Sequence, residues 1–271
     1  MSTPSCLALL TLLVSTPVLA ANDATAGGAE RKHAMKMLIV LTSHDQLGNT
    51  GRKTGFYLSE LTHSLDVFQR AGIEVDLASP KGGLPPMDGV DRGDAINKTF
   101  LEDKGWMARL EKTTRLEDVD PSRYDAVYVP GGHGTMYDLP DNARLQAILA
   151  AVYTRGGVVA AVCHGPAALV NVKLEDGSYL VAGKSVSSFT DEEETAMKLT
   201  QAMPFLLESK LRERGGRFGK APNFKPHVAT AERLVTGQNP ASAAGVASEV
   251  VRLMRAVPIT APRAAATVEA R

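Results

Sequence analysis

Cys163, His164 and a few carboxylates are the residues of this chain best suited to covalent chemistry. Cys163 ends an apolar run, residues 158–162, and is followed by His164, Gly165 and Pro166. A strand that turns sharply at a nucleophile and enters a helix is a nucleophile elbow, here with sulfur in place of the usual serine oxygen. Ala161 and Gly165 are small enough to permit the turn. A helix beyond it would aim its N–H groups and positive dipole end at the sulfur and lower the thiol pKa. The alternative is a small buried hydrophobe, which is what most free cysteines are.

His164 has the chemistry of a base or proton carrier beside the thiol, and a histidine in that role needs a partner on its other ring nitrogen. Asp191, Glu192, Glu193 and Glu194 supply candidates, although an acidic run also suits the first turn of a helix. Spacing does not choose among them. Glu60 lies among apolar neighbours in a helical segment. It is either an exposed helix glutamate or a carboxyl buried against the nucleophile with a raised pKa. Residues 131–134, Gly-Gly-His-Gly, are either a plain turn or a set of backbone N–H donors for an oxyanion. No phosphate-binding glycine loop and no Cys/His cluster with zinc spacing occurs, so no nucleotide, other cofactor or metal is expected.

These groups must be positioned by a scaffold. Strands are expected over residues 36–42, 73–79, 124–130, 157–162 and 185–189, with a strand or hairpin over 227–236. Helices are expected over 54–71, 97–116, 142–155, 191–214 (interrupted near Pro204) and 241–256. Residues 82–94 read as a surface excursion. Alternation of this kind predicts an α/β fold, a doubly wound and mostly parallel sheet with helices on both faces. Sites in such sheets form at the carboxyl ends of strands. Residues 42–44, 131–133 and 163–164 are therefore expected to converge.

The 271 residues carry 30 basic and 30 acidic side chains and few aromatics, which gives no footing for nucleic acid. Residues 1–21 read as a cleaved signal peptide, 22–35 as a linker and 258–271 as a disordered tail. Export to the periplasm, or secretion, is therefore expected, with no stable membrane association after cleavage. Removal of Cys6 would leave Cys163 unpaired, as suits a reactive thiol.

Residues 129–134, 161–166, 189–194 and 236–242 resemble the DJ/PfpI superfamily, and residues 54–63 resemble its heat-shock-protein-thirty-one-like branch. The resemblance spans residues 36–257. It implies a flavodoxin-like homodimer and a glutathione-independent, glyoxalase III-type activity that converts methylglyoxal, a small dicarbonyl, to D-lactate. A holdase chaperone or a redox-sensing thiol protein of the same superfamily is the alternative. Carried over by position, Cys163 is the nucleophile, His164 its neighbouring base and Glu60 the carboxyl beside the sulfur. Glu194 is the acid of the triad, with Asp191 as runner-up. Gly132, His133 and Gly165 supply backbone N–H groups. Ser64 stands where the branch has proline, which suggests a local effect on the helix. Ala229 stands where a glutamine amidotransferase needs glutamate two residues after its histidine, here His227. Glutamine hydrolysis is therefore not expected.

Overall fold

The apolar runs pair edge to edge. Among the described residues, β1 (Lys36–Val40), β2 (Glu74–Ser79), β3 (Thr114–Arg115), β4 (Ala126–Val129), β5 (Val158–Val162), β6 (Val228–Ala231) and β7 (Leu234–Gly237) make a seven-stranded sheet. Its order is β6-β7-β5-β4-β1-β2-β3, and every neighbouring pair is parallel except the β6–β7 hairpin. The structure is a computed structural model that describes residues 1–2 and 34–256. The segments read as signal, linker and tail fall almost wholly outside the described residues.

The flavodoxin-like expectation holds. Successive side chains of the central strands enter opposite apolar layers, as the two-residue period of a strand requires. Leu38, Val40, Val127, Val129, Val159 and Ala161 join one layer. Met37, Ile39, Tyr128, Val158, Ala160 and Val162 join the other. Helix α1 (Leu58–Arg70) covers the second layer with Leu58, Leu61, Leu65 and Phe68. Each such side chain contributes about 1.5–3 kcal/mol when fully buried. The last helix, Ala243–Ala256, packs beside α1 on the same face. The helix Ala143–Thr154 covers the first layer through Leu145, Ile148, Leu149 and Val152.

Several expected elements differ in detail. Residues 56–57 form a two-residue strand with Met87–Asp88 rather than the first turn of α1. The helix expected over 97–116 is two helices, α2 (Ala95–Glu102) and α3 (Lys104–Leu110). Asp103 breaks them: it ends the first in extended conformation and caps the second, accepting from the N–H groups of Gly105 and Trp106. The strand expected over 185–189 shrinks to Ser185–Val186 and pairs with Arg217–Phe218 outside the main sheet. Helix α4 is Ala143–Thr154. The segment after β5 then yields α5 (Asp191–Ala196) and α6 (Leu207–Glu213), with α7 at Ala243–Ala256.

Candidate active site

The chain turns at Cys163 with φ of 59°, a left-handed conformation that a side chain rarely adopts. Two backbone hydrogen bonds hold it there. Cys163 N–H donates to Gly237 O at 2.9 Å, and Phe189 N–H donates to Cys163 O at 2.8 Å. This is the strained turn of an elbow. The segment after the turn departs from expectation, because Gly165–Leu169 is a five-residue 3₁₀ helix with little dipole to offer. The thiol is correspondingly not acidified. Burial raises its pKa well above 9.0, and the neighbouring Glu60 carboxyl pushes in the same direction.

Glu60 is fully buried on the first turn of α1. A helix N-terminus favours a carboxylate by about 0.3–1 kcal/mol. Burial opposes this and wins, so the pKa rises to about 8 despite a hydrogen bond from Gly131 N–H and the contact with Cys163. Gly131 N–H donates to Oε2 at 2.6 Å. The other oxygen, Oε1, is buried without a hydrogen-bond partner among the described residues, and the Cys163 side chain is the group that Glu60 faces. At neutral pH the pair is therefore a thiol beside a carboxylic acid. The Tyr128 hydroxyl donates to the Glu60 carbonyl at 2.9 Å and accepts from Ser64 at 2.7 Å. Ser64 thus braces Glu60 against β4, which corrects the view of it as a local feature of the helix.

His164 is buried at the turn, with Nδ1 3.3 Å from Cys163 Sγ and Nε2 2.7 Å from Glu194 Oε2. Burial keeps its pKa down, at about 4, with help from the neighbouring His133. Glu194 is held down at about 2: burial alone would raise it, but hydrogen bonds from His133 and His164 outweigh that. An ionised carboxylate only accepts, so His164 carries its proton on Nε2 and turns a lone pair on Nδ1 to the thiol. Of the four acidic candidates, only Glu194 meets His164. Asp191 accepts instead from the Ser209 hydroxyl on α6, and Glu192 pairs with Lys220 at 3.1 Å. Glu193 turns inward for a different purpose. It closes a capping box with Thr190 and accepts from Phe224 N–H at 2.7 Å, Gln238 Nε2 at 3.1 Å and Asn239 Nδ2 at 2.8 Å.

The Gly131–Gly134 turn runs close to other backbone. Gly132 has φ of +95°, and a Cβ there would come within 2.3 Å of Gly55 O. The turn brings Gly132 and His133 to the wall of a cavity of about 240 Å³ that also exposes Cys163 and His164. Gly165 is not on that wall; it packs against Val129 O. The His133 ring, expected only to lend its backbone, reaches Glu194 Oε1 at 3.0 Å. His133, His164 and Glu194 place three ligand atoms within 4.8 Å of one another, the grouping best suited to a metal ion among the described residues, although hydrogen bonds already engage each atom. Phe189, Leu199, Met197 and Phe224 add apolar wall, while Tyr57, Asp88 and Arg52 add polar groups. Asp88 belongs to the glycine- and proline-rich excursion. Of the three strand ends expected to converge, that at His44 does not reach the cavity; its ring stacks on Tyr137 at 4.4 Å.

Residues 53–253 match the DJ-1/PfpI family. The chain belongs to this family. Glyoxalase 3 of Candida albicans is 34% identical over 80% of this chain and 97% of its own length. The crystal structure of glyoxalase III from Candida albicans superposes with a TM-score of 0.76 at 31% identity over 81% of this chain and 97% of that one. The glutathione-independent glyoxalase HSP31 of Saccharomyces cerevisiae is 34% identical over 77% of this chain and 93% of its own. The Rapid Encystment Protein 24 KDa of Francisella tularensis gives a TM-score of 0.79 at 38% identity, covering 81% of this chain and 99% of that one. The comparisons correct one expectation. The glyoxalases it resembles are proteins of the fungi Candida albicans, Schizosaccharomyces pombe and Saccharomyces cerevisiae, so assignment to the periplasm does not stand.

Proposed function

We propose that the chain is a cysteine-dependent, glutathione-independent glyoxalase that converts methylglyoxal to D-lactate. The observation that carries this reading is the Cys163–His164–Glu194 relay with the Glu60 carboxyl beside the sulfur. Its sequence is 34% identical to enzymes named for this activity.

The protonation states suggest the order of events. His164 Nδ1 takes the thiol proton as sulfur adds to the aldehyde carbon of methylglyoxal, and Glu194 stabilises the imidazolium that forms. Glu60, held neutral by burial, gives its proton to the developing alkoxide, while the Gly132 and His133 N–H groups on the cavity wall assist. A neutral hemithioacetal results. The Glu60 carboxylate so formed removes the proton from C1 while the His164 imidazolium protonates the C2 oxygen, giving an enediol; Glu60 then returns its proton to C2 as the C1 hydroxyl gives its proton back to His164. The two electrons stay within the substrate, which becomes a 2-hydroxyacyl thioester on Cys163. Water hydrolyses the thioester to lactate and regenerates the thiol. No external redox partner enters the balance. Gly165 fits this scheme as a close-packed glycine of the elbow, and Asp191 as part of the scaffold.

D-Lactate, followed enantiospecifically in the absence of glutathione, is the expected product. Racemic lactate would contradict proton return by a fixed group. Intact mass should show Glu60→Gln trapping one substrate molecule on Cys163 without releasing lactate. A homodimer is part of the same proposal, and light scattering on the purified chain tests it.

A further inference from the structure

The carboxylate of Glu194 is shared. Its Oε2 meets His164 Nε2 at 2.7 Å, and its Oε1 meets His133 Nε2 at 3.0 Å. The two imidazole rings lie 4.1 Å apart with a tilt of 40°, and both contact the Phe189 ring, at 4.5 Å for His164 and 6.2 Å for His133. A glutamate has three rotatable side-chain bonds, and a single partner on one oxygen leaves the carboxylate plane free to turn. A second donor on the other oxygen removes that freedom. The second donor comes from the Gly-Gly-His-Gly turn, whose path is set by the positive φ of Gly132. His133 is thus delivered by an element separate from both the elbow and α5.

We infer that the His133 side chain is a positioning residue, which grips Glu194 Oε1 so that Oε2 stays on His164 Nε2 and His164 Nδ1 stays aimed at Cys163. The inference rests on the proposed relay and adds to it a side chain that never touches the sulfur. His133 also sets the electrostatic setting of the base. A second imidazole against His164 disfavours a second positive charge, and it takes half of the carboxylate that would otherwise favour the imidazolium alone. The other titratable or charged groups around the relay are Cys163 and Glu60 at the sulfur, Glu193 on α5, and Tyr137, which interacts with Glu194. Tyr57, Asp88 and Arg52 face the same cavity.

Two substitutions separate positioning from bulk structure. His133→Phe keeps a ring against His164 and removes the donor; His133→Gln keeps a donor at similar reach. On the full chain, kcat and KM for methylglyoxal and the rate of Cys163 alkylation by iodoacetamide would be followed from pH 4 to 9. Loss of the hydrogen-bond partner that orients a metal-bound histidine typically lowers activity about 10–100-fold, and the same order is taken for this metal-free relay. His133→Phe is therefore expected to lower kcat by that factor with KM little changed. It should also move the acid limb of both profiles to higher pH, because His164 protonates more readily once Glu194 serves it alone. His133→Gln should restore most of kcat. The inference is overturned if His133→Phe keeps the wild-type kcat and acid limb. It is equally overturned if both variants fail alike through a raised KM, which would mark His133 as a substrate contact. Alkylation needs no substrate. If the wild type does not turn over methylglyoxal, a shifted alkylation profile in His133→Phe still upholds the positioning role while the proposed function falls, and an unshifted one overturns the positioning role.

Discussion

Replacing Glu60 by glutamine should stabilise the protein at neutral and alkaline pH while removing its activity. Glu60 is fully buried and titrates near 8 rather than the ordinary 4.5. Between those two values the folded chain holds a proton that the unfolded chain has released, so stability falls as pH rises across that window. The stabilising contribution of the protonated carboxyl is complete below 4.5 and is lost as pH climbs through about 8. At about 1.36 kcal/mol for each pH unit, the loss by pH 8 is about 5 kcal/mol, and about 3 kcal/mol by pH 7. Glutamine is nearly isosteric and never ionises. Its carbonyl can still accept from Gly131 N–H, the bond that Oε2 accepts at 2.6 Å. Urea unfolding of wild type and Glu60→Gln at pH 5, 7 and 8 would check this. The two curves should lie close at pH 5, with the variant about 2–5 kcal/mol more stable by pH 8. A difference that does not change with pH would refute the reasoning, because it would show that Glu60 is not a buried acid with a raised pKa. Stability gained where activity is lost is the usual trade at a strained or desolvated site.

Three further outcomes are expected from the same geometry. Gly132→Ala should lose the cavity wall and most turnover, since its Cβ would come within 2.3 Å of Gly55 O at a φ of +95°; a near-wild-type melting curve and kcat would contradict this. Glu193→Ala would orphan the donors from Thr190, Phe224, Gln238 and Asn239. At about 1–3 kcal/mol for each buried group left unmade, a loss of about 4 kcal/mol and a Tm lower by about 10 °C are expected, readable by calorimetry. Phe224, half exposed with φ of 61°, stands on the cavity wall with Met197. Phe224→Ala should lower kcat/KM for phenylglyoxal relative to methylglyoxal by about tenfold, and an unchanged ratio would place the ring outside the substrate's path.

The sheet was legible because its central strands are apolar throughout and its main helices carry spaced apolar residues, as at Leu61, Leu65 and Phe68. The elbow was legible because the cysteine ends an apolar strand and is flanked by small residues, Ala161 and Gly165, that permit the sharp turn. Electrostatics were not. The dipole argument for an acidified thiol assumed a long helix and solvent, whereas the sequence 165–169 makes a short 3₁₀ turn and the sulfur is buried beside an acid. Nor could spacing tell which residue of the acidic run points inward. In fact two do, and they face different groups: Glu194 the histidines, and Glu193 the residues of the 236–242 motif. The second ligand of Glu194 lies 61 residues away in the glycine turn. Only a side chain between two glycines hinted at it, and that hint was read as backbone. Ser64 was likewise invisible as a brace, because its partner Tyr128 lies on β4, 64 residues further along the chain.

Formation of lactate from methylglyoxal without glutathione, by the wild-type chain beside Cys163→Ala and Glu60→Gln, tests the central claim most directly. Turnover by the wild type that is absent from both variants is the predicted result. Full turnover without Cys163, or none from wild-type protein whose Cys163 is verified as reduced, would contradict it.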